Sequence, residues 1–165
     1  MRGHRPLKSR ARRTAGSILR SAKAAALESA VLAASRFGRG AAAPPPEPRS
    51  IFVLRNNDIG DLLVVTPLFD ALRRRFPQAE IVAGVGHWNL DVLRGNPHIT
   101  EVMPIDAPWF NKYARTGSLQ AIRYLASAQA AGLARRDFDV GIDILGSAWG
   151  SLLLLRAAIP WRLGV

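Results

Sequence analysis

From Ser50 onward, short apolar runs alternate with longer segments of helical period, and this alternation constrains the fold more than any other feature. The apolar runs are "IFVLR", "EIVAGVG", "EVMPID", "FDVGIDIL" and "WRLGV". Between them stand "GDLLVVTPLFDALRRRFP", the shorter "WNLDVLRGNP" stopped by Gly95 and Pro97, the long "GSLQAIRYLASAQAAGLARRD", and "SAWGSLLLLRAA". Strands this apolar have no wet face, and each needs a crossover to reach the next. The pattern predicts an α/β fold, a Rossmann-like parallel sheet flanked by helices on both sides. No repeat interrupts it.

Charge sets the second limit. Residues 1–49 hold 11 Lys+Arg against 2 acids, whereas residues 50–165 hold 12 against 10, so the net +11 belongs mostly to the leader. That leader runs from "MRGHRPLKSRARR" through the Ala-rich "SILRSAKAAALESAVLAASRF" to "GRGAAAPPPEPRS", where prolines forbid regular structure. It is expected to be a flexible basic segment with a partly helical middle, preceding one domain over residues 50–165. A nucleic-acid binder would build its basic groove into the fold beside aromatic platforms, so nucleic acid is not an expected partner. The leader reads as a solvated tail, as upstream sequence from a wrongly assigned start, or as an arm in peripheral contact with an anionic membrane surface. Its composition also fits an organellar transit peptide. The chain has no cysteine, which removes disulfides, thiolate zinc sites and Cys nucleophiles and is compatible with a reducing cytoplasm. The runs "LLVVTPLF" and "SLLLL" are too short for the ~18–20 residues a spanning helix needs.

In an open parallel sheet, ligands meet the carboxyl ends of the strands, where loops feed helix N-termini. The first such seam reads "RNNDIGD". Asn56, Asn57 and Asp58 fall in the loop, Gly60 allows a tight turn or a close ligand approach, and Asp61 stands at the helix start. Either aspartate could serve only as a helix cap. Two are more than one cap requires. A dinucleotide loop would show G-x-G-x-x-G and a phosphate loop G-x-x-x-x-G-K-[ST], and neither is present. Carboxylates and amides suit hydroxyl groups better than pyrophosphate. "GIDILGS" repeats the theme after the fourth strand with Asp143, which again reads as a ligand contact or as a turn residue. His87 follows the second strand beside Trp88 and Asn89, a position more usual for a surface histidine than for a base. The loop from Asp106 to Gly117 mixes Trp109, Phe110 and Tyr113 with Lys112 and Arg115, a composition that covers a ligand or packs back on the domain. The spacing of acidic residues and histidines offers no metal site.

With these residues in view, the domain resembles the N-terminal half of glycosyltransferase family nine, the ADP-heptose:lipopolysaccharide heptosyltransferases. The resemblance rests on "IFVLRNNDIGDLLVVTPLFDALRRRFPQAEI", "NPHITEVMPID", "RRDFDVGIDILGS" and "IPWRLGV", in the family's order over about residues 50–165. It implies the N-terminal half of a GT-B enzyme, with the active site between two Rossmann-like domains. The implied reaction is inverting transfer of heptose from ADP-heptose to a lipopolysaccharide core or other lipid-linked glycan, at the cytoplasmic face of the inner membrane. The nucleotide-sugar is a co-substrate, and neither a cofactor nor a metal is implied. In that family the Asp of the Gly-Asp pair is the proposed general base, which falls on Asp61. Arg55, Asn56, Asn57, Asp58 and Gly60 would line the acceptor side, joined by Asp143. The chain departs from the family at Leu145, where a polar residue, commonly Gln, is frequent. It also lacks the C-terminal domain that holds the donor. The resemblance therefore implies a catalytically incomplete fragment, or a half that needs a partner. A second reading makes the chain a non-catalytic α/β binding or scaffold domain whose aspartates only cap helices.

Overall fold

The computed structural model describes residues 43–110 and 118–164, with six further positions between 22 and 33. Those six, Ala22, Ala25, Ala26, Ser29, Ala30 and Ala33, are helical and exposed. The rest of residues 1–42 and the loop positions Lys112, Tyr113 and Arg115 lie outside the described residues.

Five strands appear where the apolar runs place them: β1 (Ser50–Leu54), β2 (Glu80–Val85), β3 (Glu101–Pro104), β4 (Val140–Asp143) and β5 (Trp161–Leu163). All pair in parallel, in the order β3-β2-β1-β4-β5. The helices are α1 (Ile59–Arg75), α2 (Ser118–Leu125), α3 (Ala128–Ala134) and α4 (Ala148–Arg156), with 3-10 segments at His87–Val92 and Pro108–Phe110.

Two of these elements correct the sequence reading. The long helix expected after the third strand is broken into α2 and α3, because the Ser127 side chain accepts the Ala130 N–H and starts a new helix there. "WNLDVLRGNP" forms a 3-10 segment instead of a short α-helix.

The period-2 alternation of β1 divides the core. Ile51 and Val53 face one cluster with Leu62 and Phe69 of α1, while Phe52 and Leu54 face the other with Leu133 of α3 and Leu153 and Leu154 of α4. Helix α1 thus covers one face of the sheet, and α3 and α4 the other. The chain order reverses between β1 and β4, so their carboxyl ends flank a crevice from which helices leave in opposite directions.

The opposite edge of the sheet is stapled by charge. Arg136 donates to Glu80 Oε1 at 2.8 Å and to Glu101 Oε2 at 2.6 Å, joining the starts of β2 and β3. Asp139 accepts the Arg49 and Ser50 N–H groups at 2.7 and 3.1 Å, fixing the entry into β1. Arg75 adds contacts to Glu47 and the Pro46 carbonyl, so the chain preceding β1 runs past the end of α1.

Helix α1 carries Pro67 in its interior. Proline has no N–H to give the Leu63 carbonyl, and the Thr66 hydroxyl donates to that carbonyl instead, at 2.8 Å. The Thr-Pro pair is thereby compatible with a continuous helix.

Candidate functional site

The carboxyl end of β1 opens into the loop that presents the sequence-predicted residues. Arg55 leaves the strand first, its N–H donating to the Gly84 carbonyl of β2 at 2.8 Å. Its side chain is 12% exposed and sets Nη2 3.7 Å from Asp61 Oδ2. Asn56 is buried and donates to the Ala107 carbonyl at 3.4 Å, which ties the loop to the segment after β3. The Asn57 carbonyl receives two donors, Trp88 Nε1 at 3.1 Å and Asn89 Nδ2 at 2.6 Å. The side-chain oxygens of Asn56, Asn57 and Asn89 are buried with no hydrogen-bond partner among the described residues.

Asp58 occupies the N-cap position of α1, in extended conformation, yet its side chain makes no capping bond. Asp61 lies in the first helical turn with its side chain 50% exposed. Its charge complements the positive end of the helix there, and its carboxylate is open to solvent. Asp58 thus does not cap α1 through its side chain, and Asp61 fits the helix-dipole position while also facing Arg55.

Gly60 corrects the turn expectation. It is helical, it is not among the positive-φ glycines, and a Cβ placed on it would meet nothing within 4 Å. The backbone does not require glycine at this point. The space above it is open.

Asp143 ends β4 beside Leu54 of β1, at the same edge as Asp61. It is 2% exposed, and its oxygens accept the Leu145 N–H at 3.2 Å, the Ser147 N–H at 2.9 Å and the Ser147 hydroxyl at 3.2 Å. Burial pushes its carboxyl above the ordinary carboxylate value, against the opposing pull of these donors. A Cβ on Gly150 would fall 1.9 Å from Asp143 Oδ2, so glycine at the start of α4 is what admits the carboxylate. Gly146, at φ +61°, completes the turn. The Asp143 carboxylate is thus engaged in shaping the β4–α4 turn, while Leu145 projects from that turn with 40% exposure.

Two further groups sit at this edge. His87 Nδ1 and its backbone N–H both lie 2.9 Å from Asp106 Oδ1, a surface pair linking the segments after β2 and β3. Trp109 packs edge-on against Tyr124 and stacks on Trp149, so this aromatic turns back onto the domain. Burial, then the nearby Asp106 charge, raises the Tyr124 phenol well above its usual value.

The structure brings Arg55, Asn56, Asn57 and Asp58 into the loop after β1, sets Asp61 in the helical turn that follows, and places Asp143 on the neighbouring strand. Sequence reasoning missed the two donors on the Asn57 carbonyl. The available signal was a polar residue, Asn89, in the segment that follows a strand ending at the same edge. Among the described residues, no group of three or more His, Asp or Glu side chains is arranged to hold a metal ion.

No family model matches the sequence, and no curated protein matches it. Solved structures do match in fold. The E. coli ADP-heptose lps heptosyltransferase II superimposes with a TM-score of 0.53 at 22% identity, over 68% of this chain and 29% of that one. The glycosyl transferase family 9 protein from Veillonella parvula DSM 2008 gives 0.55 at 20% identity, over 69% of this chain and 31% of that one. E. coli heptosyltransferase WaaC with ADP gives 0.51 at 16% identity, over 68% and 33%. The chain spans about a third of the length of these transferases, and what it shares with them is the parallel α/β fold.

Proposed function

We propose that this chain is the acceptor-side domain of an inverting glycosyltransferase of the heptosyltransferase type. The observation that carries the reading is Asp61: a half-exposed carboxylate in the first turn of α1, at the carboxyl edge of the sheet and beside the mostly covered side chain of Arg55. The likeness in fold to heptosyltransferases supports it.

In this reading an acceptor hydroxyl lies against Asp61. Its oxygen attacks the anomeric carbon of ADP-heptose, the bond from that carbon to the diphosphate breaks, and ADP leaves. The hydroxyl proton passes to the Asp61 carboxylate, which acts as general base. Arg55 positions Asp61. The Asn56–Asp58 loop and the open space above Gly60 receive the acceptor, a lipopolysaccharide core or another lipid-linked glycan. Asp143 contributes by holding the Leu145–Ser147 turn that borders the crevice. The donor nucleotide is held by a C-terminal domain or partner half outside this chain, at the cytoplasmic face of the inner membrane.

Two measurements test the reading. The purified 165-residue chain turns over little or no ADP-heptose, and robust turnover by it would contradict the incomplete-fragment part. In a full-length context, Asp61→Asn lowers kcat by about 10²–10⁴-fold while circular dichroism stays unchanged. Retention of wild-type kcat would leave the non-catalytic scaffold reading in its place.

A further inference from the structure

His87 is held more firmly than an exposed side chain needs to be. Its ring Nδ1 and its own backbone N–H both lie 2.9 Å from Asp106 Oδ1, and the ring meets the Trp88 ring edge-on at 5.2 Å. Trp88 is itself seated: a Cβ on Gly86 would overlap its ring, and its Nε1 donates to the Asn57 carbonyl at 3.1 Å. Yet the His87 side chain is 68% exposed and that of Asp106 42% exposed. A pair this open to solvent contributes little to stability. What the arrangement achieves is orientation. A carboxylate oxygen only accepts, so Nδ1 carries the proton, and the neutral ring presents Nε2 outward as an acceptor.

The strands β1 and β2 end side by side, the Arg55 N–H donating to the Gly84 carbonyl, so His87 follows at the same edge as the Asn56–Asp61 seam. The amides there share its bias. Asn56 Nδ2 is engaged by the Ala107 carbonyl and Asn89 Nδ2 by the Asn57 carbonyl, which leaves each side chain only an oxygen to offer. Neither oxygen has a hydrogen-bond partner among the described residues. An edge so rich in acceptors calls for a ligand that donates, and the carboxylates of Asp61 and Asp106 disfavour an anion. Hydroxyl groups meet both conditions. We propose that His87 binds the acceptor glycan, its Nε2 taking a hydrogen bond from a sugar hydroxyl, with Asp106 as the positioning residue that fixes the ring. That the ligand is the acceptor glycan rests on the transferase reading, whereas the sense of the hydrogen bond rests on the geometry. No bond is made or broken at His87, so its loss acts on binding and leaves the chemical step to Asp61.

The test is nuclear magnetic resonance of the full chain, isotopically labelled at the histidine nitrogens, titrated with delipidated lipopolysaccharide core oligosaccharide and, separately, with inorganic phosphate. The free chain is expected to show His87 in the Nδ1–H form, and the oligosaccharide to shift its Nε2 signal where phosphate does not. His87→Ala should weaken oligosaccharide binding about two- to tenfold, the span of one hydrogen bond. The His87 N–H still holds Asp106 in that variant. His87→Gln, whose amide oxygen reaches toward the place of Nε2, should keep most of the affinity and serves if the alanine variant fails to fold by circular dichroism. Asp106→Ala should weaken binding and let both ring forms appear, while His98→Ala, before the start of β3, should change nothing. An Nε2–H form in the free chain, no binding of the oligosaccharide, an equal response to phosphate, or unchanged affinity in folded His87→Ala would each overturn the proposal. Failure of the transferase reading shows elsewhere, as wild-type kcat in Asp61→Asn. A full-length enzyme in which His87→Ala keeps its KM for the acceptor glycan while Asp61→Asn loses kcat would remove this inference alone.

Discussion

Arg55 Nη2 lies 3.7 Å from Asp61 Oδ2, the arginine side chain 12% and the aspartate side chain 50% exposed. The pair spans the β1–α1 turn, so a charge rooted at the end of the central strand is answered by one in the first turn of the helix. Solvent on the aspartate side weakens the attraction. Asp61→Asn should therefore cost the isolated chain only about 0.2–1 kcal/mol, read as a small shift in the urea midpoint. Global unfolding by this substitution would make Asp61 a structural residue first.

The Asn57 carbonyl should prove the more sensitive point of the same loop. Asn89→Asp sets an oxygen against that carbonyl where Asn89 Nδ2 now stands at 2.6 Å. Asn89→Ala only removes the donor, and Trp88→Phe leaves the Asn89 bond in place. Denaturant midpoints should fall in the order N89D, then N89A, then W88F, with N89A costing about 1–3 kcal/mol.

At Gly60 stability and function should separate. Alanine there meets no neighbour and favours the helix, so Gly60→Ala should stabilise the fold by up to about 1 kcal/mol. If the acceptor approaches the backbone here, the same substitution raises KM in a full-length enzyme. Thermal melting and steady-state kinetics on one variant read both effects.

The Arg136 staple predicts a pH effect. The hydrogen bond from Arg136 holds the Glu101 carboxyl below its ordinary 4.5. A depressed folded value means stability that is present above pH 4.5 and is lost as pH falls through the lower folded value. Arg136→Ala should flatten the dependence of the melting temperature on pH in this acid range. Asp143 acts with the opposite sign, because its raised carboxyl favours the fold when protonated. Asp143→Asn should accordingly leave the Glu101 limb in place.

The strands were legible because parallel strands buried on both faces must be apolar throughout, and period-2 alternation in β1 sorts its residues between two cores. The break at Ser127 was not, since the apolar period continues across it through alanines and only a local side-chain bond ends α2. The seam at Asn56–Asp61 was legible as a strand-to-helix junction at the carboxyl edge of the sheet. What fixes that loop was hidden, because its partners Trp88, Asn89 and Ala107 come from segments remote in sequence. Asp143 was placed at the right edge, but its engagement by Leu145 and Ser147 depends on the room that Gly150 leaves.

Pro67 has a consequence for motion. The backbone ladder of α1 is interrupted where Pro67 offers no proton, and the Thr66 hydroxyl, itself on the earlier side, takes the Leu63 carbonyl. The turns before the proline are anchored in the core chiefly by Leu62, and those after it by Phe69 with Leu68 and Leu72. In hydrogen exchange the helix should therefore behave as two units, with amides 62–66 expected to exchange faster than amides 69–75. The turn that carries Asp61 would then open without disturbing the sheet beneath it.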